Sequence, residues 1–236
     1  MRLAVMQPYI FPYIGYFQLI QATDVFVFYD DVNFIKGGWI HRNRLLVNNS
    51  DILFTVPLLK PSSFRKLNEI EINTKIYKTW KEKFFRTIKQ SYSKAPFYKE
   101  VLPLIESVFT SVDSVNIGKL AARSVMEICN YLDIKTQFIF SSERFAESQN
   151  MGRTDRLLYI AKLLKSHTYI NTIGGKELYK TEDFIKEEIV LKFIKTGEVV
   201  YPQYAHKFIP NLSIIDVLMF NSKEEIQKML NSYELI

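Results

Sequence analysis

Two short apolar runs at the start of the chain constrain its fold more than any other feature. Residues 2–7 (RLAVMQ) read as a short buried strand, and Asp24-Val-Phe-Val-Phe-Tyr29 is a run of strand formers with no polar residue inside it. A strand with one wet face alternates polar and apolar residues, whereas a continuous run is expected of a parallel strand covered on both faces. Between the two, beyond Pro8 and Pro12, Tyr13–Ala22 places Tyr13, Phe17 and Leu19/Ile20 near helical spacing. Strand, loop, helix and strand in that order predict an α/β fold. Asp30 and Asp31 end the second strand.

The rest of the chain extends this pattern. Gly37-Gly38 and Asn48-Asn49-Ser50-Asp51 are turn signals flanking Trp39–Val47 and Ile52–Leu59, which predicts a hairpin-like excursion. Lys60-Pro-Ser-Ser63 reads as a loop and Leu67–Ile72 as a further short strand. Helices are predicted over Lys75–Tyr92, Pro96–Phe109 and Asn116–Leu132, punctuated by Pro96 and Pro103, with Asp113 and Ser114 as candidate caps of the third. Lys135–Ser141 returns to strand, Thr154–Ser166 to helix and Tyr169–Ile173 to strand; Thr181–Lys186 is a helical turn and Val190–Ile194 a final strand. Ser213–Phe220 and Lys223–Asn231 read as closing helices. The expected architecture is one domain over residues 1–236, built on a Rossmann-like, mostly parallel sheet with a helical insertion at about 75–132.

Composition narrows the function classes. With 236 residues, 47% of them hydrophobic, the chain can bury a real core. Its single cysteine, Cys129, cannot form an internal disulfide, and no Cys/His spacing resembles a metal site. Cys129 lies on the apolar side of a predicted helix with Leu120, Val125, Ile128 and Leu132, as a core residue would. Gln7, Pro8 and Pro12 interrupt the N-terminal apolar segment, so it does not read as a signal peptide. No stretch reaches the roughly 18 apolar residues of a membrane span, and the cytoplasm is the expected location. The net charge of +6 is dispersed among interleaved acids, which favours a phosphate-bearing small molecule over nucleic acid.

Chemistry-bearing residues fall into clusters. The loop after the first strand, Gln7-Pro-Tyr9-Ile-Phe-Pro-Tyr13-Ile-Gly-Tyr16, holds three tyrosines and a glutamine where an open α/β sheet binds ligands. It reads as either an aromatic lid over the first helix or a stacking wall for a base or sugar. Tyr13-Ile-Gly-Tyr16 also occupies the slot where nucleotidylyl transferases carry a His-x-Gly-His element, with tyrosine in place of each histidine. The second cluster is Asp30, Asp31, Lys36, Trp39, His41, Arg42, Asn43 and Arg44. It offers carboxylates, a near-neutral base and cations suited to phosphate, or else a solvated hairpin. In a third, Arg153 and Arg156 stand at a helix start capped by Thr154. Gly174-Gly175 follows a predicted strand and permits close backbone approach to a ligand. Ser213 with Asp216 resembles a capping box. Because the strand-end loops share the carboxyl edge of a parallel sheet, Tyr13, Tyr16, Asp30 and Arg42 are expected to converge on one crevice.

Several of these segments together resemble the WbqC-like family: Met6–Ile20, Asp24–Asp31, Lys36 and Trp39 with Arg42-Asn43-Arg44, then Gly174-Gly175 with Tyr179, Tyr201-Pro-Gln203 and Leu212–Asp216. Met219-Phe-Asn221 departs from that pattern at a helix end, where glycine is common in the family. The resemblance implies a bacterial cytoplasmic protein of surface-polysaccharide (O-antigen) biosynthesis. It would transfer an acyl or aminoacyl group such as glycine to a nucleotide-linked amino sugar. The rival expectation is a non-catalytic nucleotide-sugar-binding or scaffold protein of glycan assembly. On the enzyme reading, Asp30, Asp31 and His41 are the catalytic candidates. Gln7, Tyr9, Tyr13, Tyr16, Lys36, Trp39, Arg42, Asn43, Arg44, Arg156, Gly174 and Gly175 are the substrate-binding candidates. Activation through an acyl-adenylate would need ATP and Mg²⁺ near Asp30 or Asp31.

Overall fold

A computed structural model describes residues 1–110 and 116–236. The opening segment forms strand β1 (Arg2–Met6), helix α1 (Ile14–Gln21) and strand β2 (Val25–Phe28). Strands β3 (Arg42–Val47) and β4 (Ser50–Thr55) make a separate two-stranded hairpin. Asn48 and Asn49 turn it with φ of 48° and 64°, the left-handed pair that a two-residue hairpin loop requires. Helices α2 (Thr74–Tyr92), α3 (Tyr98–Thr110) and α4 (Ile117–Tyr131) follow, then strand β5 (Gln137–Phe140), helices α5 (Ser141–Arg144) and α6 (Arg153–Leu163), and strand β6 (Thr168–Thr172). The chain closes with α7 (Thr181–Ile185), β7 (Val190–Thr196), α8 (Ile214–Phe220), α9 (Lys223–Leu230) and β8 (Tyr233–Leu235).

Six strands share one sheet in the order β5-β2-β1-β6-β7-β8, parallel throughout except for β8. The direction in which strands are added reverses between β1 and β6, and a crevice opens beyond the carboxyl ends at such a reversal.

The register explains the apolar run in β2. Phe26 and Phe28 join the core on one face, with Ala4, α1, α2–α4, α8 and α9. Val25 and Val27 join the core on the other, with Leu3, Val5 and the buried residues of α6 and α7. Alternate residues therefore enter different cores, and no position is left for a polar side chain. The helical segment α2–α4 packs into the same cluster as α1, through Tyr77, Phe84, Ile88, Val101, Ile105 and Leu120 among others.

Several local expectations are corrected. Leu67–Ile72 is not a strand: Leu67–Glu69 is one 3-10 turn, closed by the Glu69 carboxylate accepting from the Lys66 N–H at 3.1 Å. Helix α3 runs through Pro103, as the expected Pro96–Phe109 helix does, but begins two residues later, at Tyr98. Asn116 caps α4 by accepting from the Lys119 N–H at 3.0 Å, while Asp113 and Ser114 lie outside the described residues. Gly152, not Thr154, precedes α6. Strand β7 is not the last, since β8 adds to it antiparallel. At the family departure, Asn221 ends α8 in extended backbone and donates from its side chain to the Val217 carbonyl at 2.7 Å.

Candidate functional site

The segment from Gln7 to Tyr13 leaves β1 at the carboxyl edge, and residues distant in sequence fix its shape. Phe11 is fully buried with φ of 42°, a left-handed conformation that an aromatic residue rarely adopts. Its N–H donates to Ser124 Oγ at 2.9 Å. Its carbonyl accepts from Asn43 Nδ2 at 2.7 Å and from Ser213 Oγ at 2.8 Å. Asn43 Nδ2 also reaches the Ile10 carbonyl at 3.2 Å, and its Oδ1 accepts from the Arg44 N–H at 2.8 Å. A strained turn persists when its surroundings over-determine it, and here α4, β3 and the head of α8 each supply a partner.

This clamp presents an aromatic cleft of about 390 Å³, lined by Tyr9, Pro12, Tyr13, Trp39, Asn43, Arg44, Thr196 and Asn211. Tyr13 precedes α1, and its ring folds back over Gly15. A Cβ on Gly15 would lie 2.4 Å from the ring and 2.9 Å from Thr196 Cγ2, so only glycine permits that pose. Both Arg42 and Arg44 lie 5.9 Å from the Trp39 ring centroid, at cation–π distance. Arg44 pairs with Asp51 at 3.0 Å and donates to the Asn211 carbonyl at 3.1 Å, while its buried Nε has no hydrogen-bond partner among the described residues. A cavity of about 340 Å³ shares Tyr13, Thr196 and Asn211 with this cleft and continues along α1 past Gln18 to Tyr201.

A second cleft, about 420 Å³, opens at the ends of β1 and β2. Gln7, Tyr29, Asp31, Val32, Asn33, Lys66, Gln149, Met151, Arg153 and Arg156 line it. At its base the buried Arg156 donates to Asp31 Oδ2 at 2.6 Å and to Ser148 Oγ at 2.9 Å, with its guanidinium 4.7 Å from the Tyr29 ring centroid. Asp31 Oδ1 accepts from Ser141 Oγ at 2.5 Å. Asp30 turns behind it, accepting from Ser142 N at 3.0 Å and Ser142 Oγ at 2.6 Å. Ser141 Oγ also lies 3.1 Å from Asp30 Oδ1, but a single hydroxyl proton serves one carboxylate at a time, and the shorter contact is to Asp31.

The expected single crevice is thus divided. Tyr13 and Asp31 share the carboxyl edge but line different clefts. Tyr16 is buried beneath the aromatic cleft, its hydroxyl donating to the Gln7 carbonyl at 2.8 Å. Arg42 closes the preceding turn, donating to the Gly38 carbonyl at 3.0 Å and to that of Gly37. Lys36 is exposed and lines neither cleft. Gly174 stands open, Gly175 packs on the Asn171 side chain, and both lie outside the clefts. His41 sits beside Phe34, ring centroids 5.5 Å apart, and burial with the neighbouring Arg42 charge pushes its pKa down to about 4. It is therefore neutral at pH 7 and a weak base.

Asp30 and Asp31 are both buried, and each of their four carboxylate oxygens already accepts a hydrogen bond. No group of three or more His, Cys, Asp or Glu suited to a metal occurs among the described residues. Asp216 does not complete a capping box. Fully buried in α8, it accepts from Tyr92 Oη at 2.8 Å, Tyr201 Oη at 2.8 Å and Gln203 Nε2 at 3.0 Å. Burial holds its pKa above the ordinary carboxylate value although these bonds pull the other way. This lock ties α2 and the 201–209 loop to α8, behind the aromatic cleft.

Sequence reasoning missed Thr196 and Asn211 in the first cleft, and Lys66, Gln149 and Ser141–Ser142 at the second. Only the serine pair carried a signal, because it follows a predicted strand at the ligand-binding edge. No helix among the described residues is long and apolar enough to cross a membrane.

Comparison with known proteins gives three findings. The chain is 28% identical over 222 residues, covering 93% of each chain, to the uncharacterized protein Rv1507c of Mycobacterium tuberculosis. No solved structure matches it. The sequence pattern of the WbqC-like protein family matches residues 7–228, which include the clamped aromatic loop and every residue that lines the two clefts. The chain belongs to the WbqC-like protein family.

Proposed function

We propose that this chain binds a nucleotide-linked amino sugar in the aromatic cleft and transfers a small acyl or aminoacyl group, such as glycine, to its amine during bacterial surface-polysaccharide (O-antigen) biosynthesis. The observation that carries the reading is the Tyr9, Tyr13 and Trp39 wall beside Arg44, whose buried Nε lacks a partner among the described residues, at the carboxyl edge of a mostly parallel sheet. Flat rings stack on a base or sugar, and a guanidinium fork matches an anionic oxygen pair. The strand order and its reversal at β1/β6 support kinship with Rossmann-like, nucleotidylyl-transferase-like sheets. In this reading Asp30 and Asp31 are positioning residues. They hold α5 and Arg156 in place, and no step is routed through a metal on them.

One observation favours a second reading, a non-catalytic nucleotide-sugar-binding or scaffold protein. The three catalytic candidates are two hydrogen-bonded carboxylates and a histidine of depressed basicity. A single experiment separates the two. The purified chain is incubated with UDP-linked amino sugars and glycine, with and without ATP and Mg²⁺, and the sugar is followed by mass spectrometry alongside calorimetric titration. A mass increase of one glycyl residue, lost in Trp39→Ala with Arg44→Ala, supports the transferase. Binding without a mass change supports the scaffold. Neither binding nor mass change refutes both.

A further inference from the structure

We infer that the second cleft is a phosphate site, separate from the aromatic cleft and able to hold a phosphoryl group independently of any sugar. The argument begins with charge. Lys66, Arg153 and Arg156 line the cleft against the single carboxylate of Asp31, which leaves two positive charges facing the opening. Asp31 is already committed to Arg156 at 2.6 Å, so the ion pair forms a fixed floor and the uncompensated charge belongs to Lys66 and Arg153. Other nearby acids do not line the cleft, Glu147 among them, which accepts from the Tyr159 hydroxyl at 2.8 Å. Asp30 faces Ser142, Glu69 accepts from the Lys66 backbone N–H, and Asp155 lies against Gly152. Two net positive charges match a phosphate dianion better than the single charge of a carboxylate.

The second argument is position. Gln7 follows β1, one of the two strands at which the sheet order reverses, and Tyr29 with Asp31 follows β2. Arg153 begins α6, the helix that carries the chain from the β5 side of the sheet across to β6. Ligands of open α/β sheets bind at this edge, and the positive end of a helix dipole adds to the attraction. The third is rigidity. Arg156 is 2% exposed and held by Asp31, Ser148 and the Tyr29 face, so its charge is fixed before any ligand arrives. A floor already in place leaves only Lys66 and Arg153 to be ordered when an anion binds.

The test is calorimetric titration of the full chain with inorganic pyrophosphate, and with acetate as the carboxylate comparison, at fixed ionic strength. Pyrophosphate should bind and acetate should not. The exposed Arg153→Ala should weaken pyrophosphate by about tenfold or more, Arg153→Glu further, and Lys66→Ala comparably, since each removes a charge-assisted contact. Lys78→Ala, an exposed cation on α2, and Trp39→Ala in the aromatic cleft should leave it unchanged. Absence of pyrophosphate binding overturns the site. So does an equal loss in Lys78→Ala, which would mark diffuse attraction to a basic chain, or acetate binding as tightly as pyrophosphate. Because Trp39→Ala is silent here and disabling for the sugar reading, the two proposals fail separately.

Discussion

Asn43 carries a polar side chain in the lining of the aromatic cleft, yet its bonds serve the backbone, and Asn43→Ala should expose that. The substitution removes three hydrogen bonds: to the carbonyls of Ile10 and Phe11, and from the N–H of Arg44. The Phe11 carbonyl keeps Ser213 Oγ, so its loss is partial. The Ile10 carbonyl loses the side-chain partner that holds it, inside a residue with no exposed surface. A typical bond contributes about 1 kcal/mol net, and a stranded buried acceptor costs about 1–3 kcal/mol. Some of the clamp on the left-handed Phe11 also goes, against a strain of roughly 1–3 kcal/mol. Allowing for the retained serine bonds, the expected loss is about 2–4 kcal/mol. Urea unfolding followed by circular dichroism should show a lower midpoint at an unchanged slope. Asn43→Asp should be worse than alanine, because it places a carboxylate against two carbonyl oxygens while keeping the acceptor for Arg44. A loss within about 0.5 kcal/mol for Asn43→Ala, the range of a neutral surface change, would refute the clamp.

Four further outcomes follow from the same geometry. Arg156→Met and Asp31→Asn should each destabilise by about 3–5 kcal/mol by stranding a buried group, and the double variant should recover much of it; simple additivity in this double-mutant cycle would contradict the pairing. For Asp216 the folded pKa is raised above the ordinary 3.8 by burial, so its ionisation opposes folding. Below the unfolded value the penalty is absent, and it grows until pH passes the folded value. Wild type should therefore lose stability relative to Asp216→Asn as pH rises through that window, and parallel melting profiles would sink the assignment. Cys129 is 1% exposed with its thiol pKa pushed up by burial, so it should resist thiol reagents until unfolding. Cys129→Ala should cost only about 1 kcal/mol and leave turnover unchanged; lost turnover with a native fold would show that the thiol takes part in the reaction. Gly15→Ala should displace the Tyr13 ring and alter ligand affinity in the aromatic cleft while leaving pyrophosphate binding intact, as competition titrations would show.

How much of this was legible in the sequence depended on distance along the chain. The run at Val25–Phe28 announced a doubly covered strand because both of its faces do enter cores, one through phenylalanines and the other through valines. Asn48-Asn49 announced its turn because the left-handed backbone there suits asparagine. Strand β8 carried no comparable signal: three residues at an edge, paired only from Ile194 to Thr196, are too few for periodicity to register. The Leu67–Ile72 apolar pattern was real, but Leu67 and Ile70 enter the core from a 3-10 turn held by Glu69, a local bond that alternation cannot reveal. In the site, aromatic residues near one another in sequence could be grouped by eye. Thr196 and Asn211 come to Tyr13 only through the fold, and Asp31 finds Arg156 across 125 positions.

Chemical capacity in a sequence motif is therefore not the same as availability to a ligand. Asn43, Asp30, Asp31 and Arg42 all have functional groups suited to substrates, and in the fold all four are engaged with this chain's own backbone or with one another. Their engagement is what keeps other groups free. The clamp on Phe11 sets the turn from which Tyr9 and Tyr13 reach the aromatic cleft, and Asp31 fixes Arg156 so that Arg153 and Lys66 supply the unspent charge of the second. The same short segment walls both clefts, with Gln7 in one and Tyr9 to Tyr13 in the other. Held by α4, β3 and α8 at once, it cannot shift toward either without breaking buried hydrogen bonds to backbone groups that have no water to replace them. Two preformed clefts at one sheet edge, rather than one flexible crevice, are the consequence of that over-determined turn.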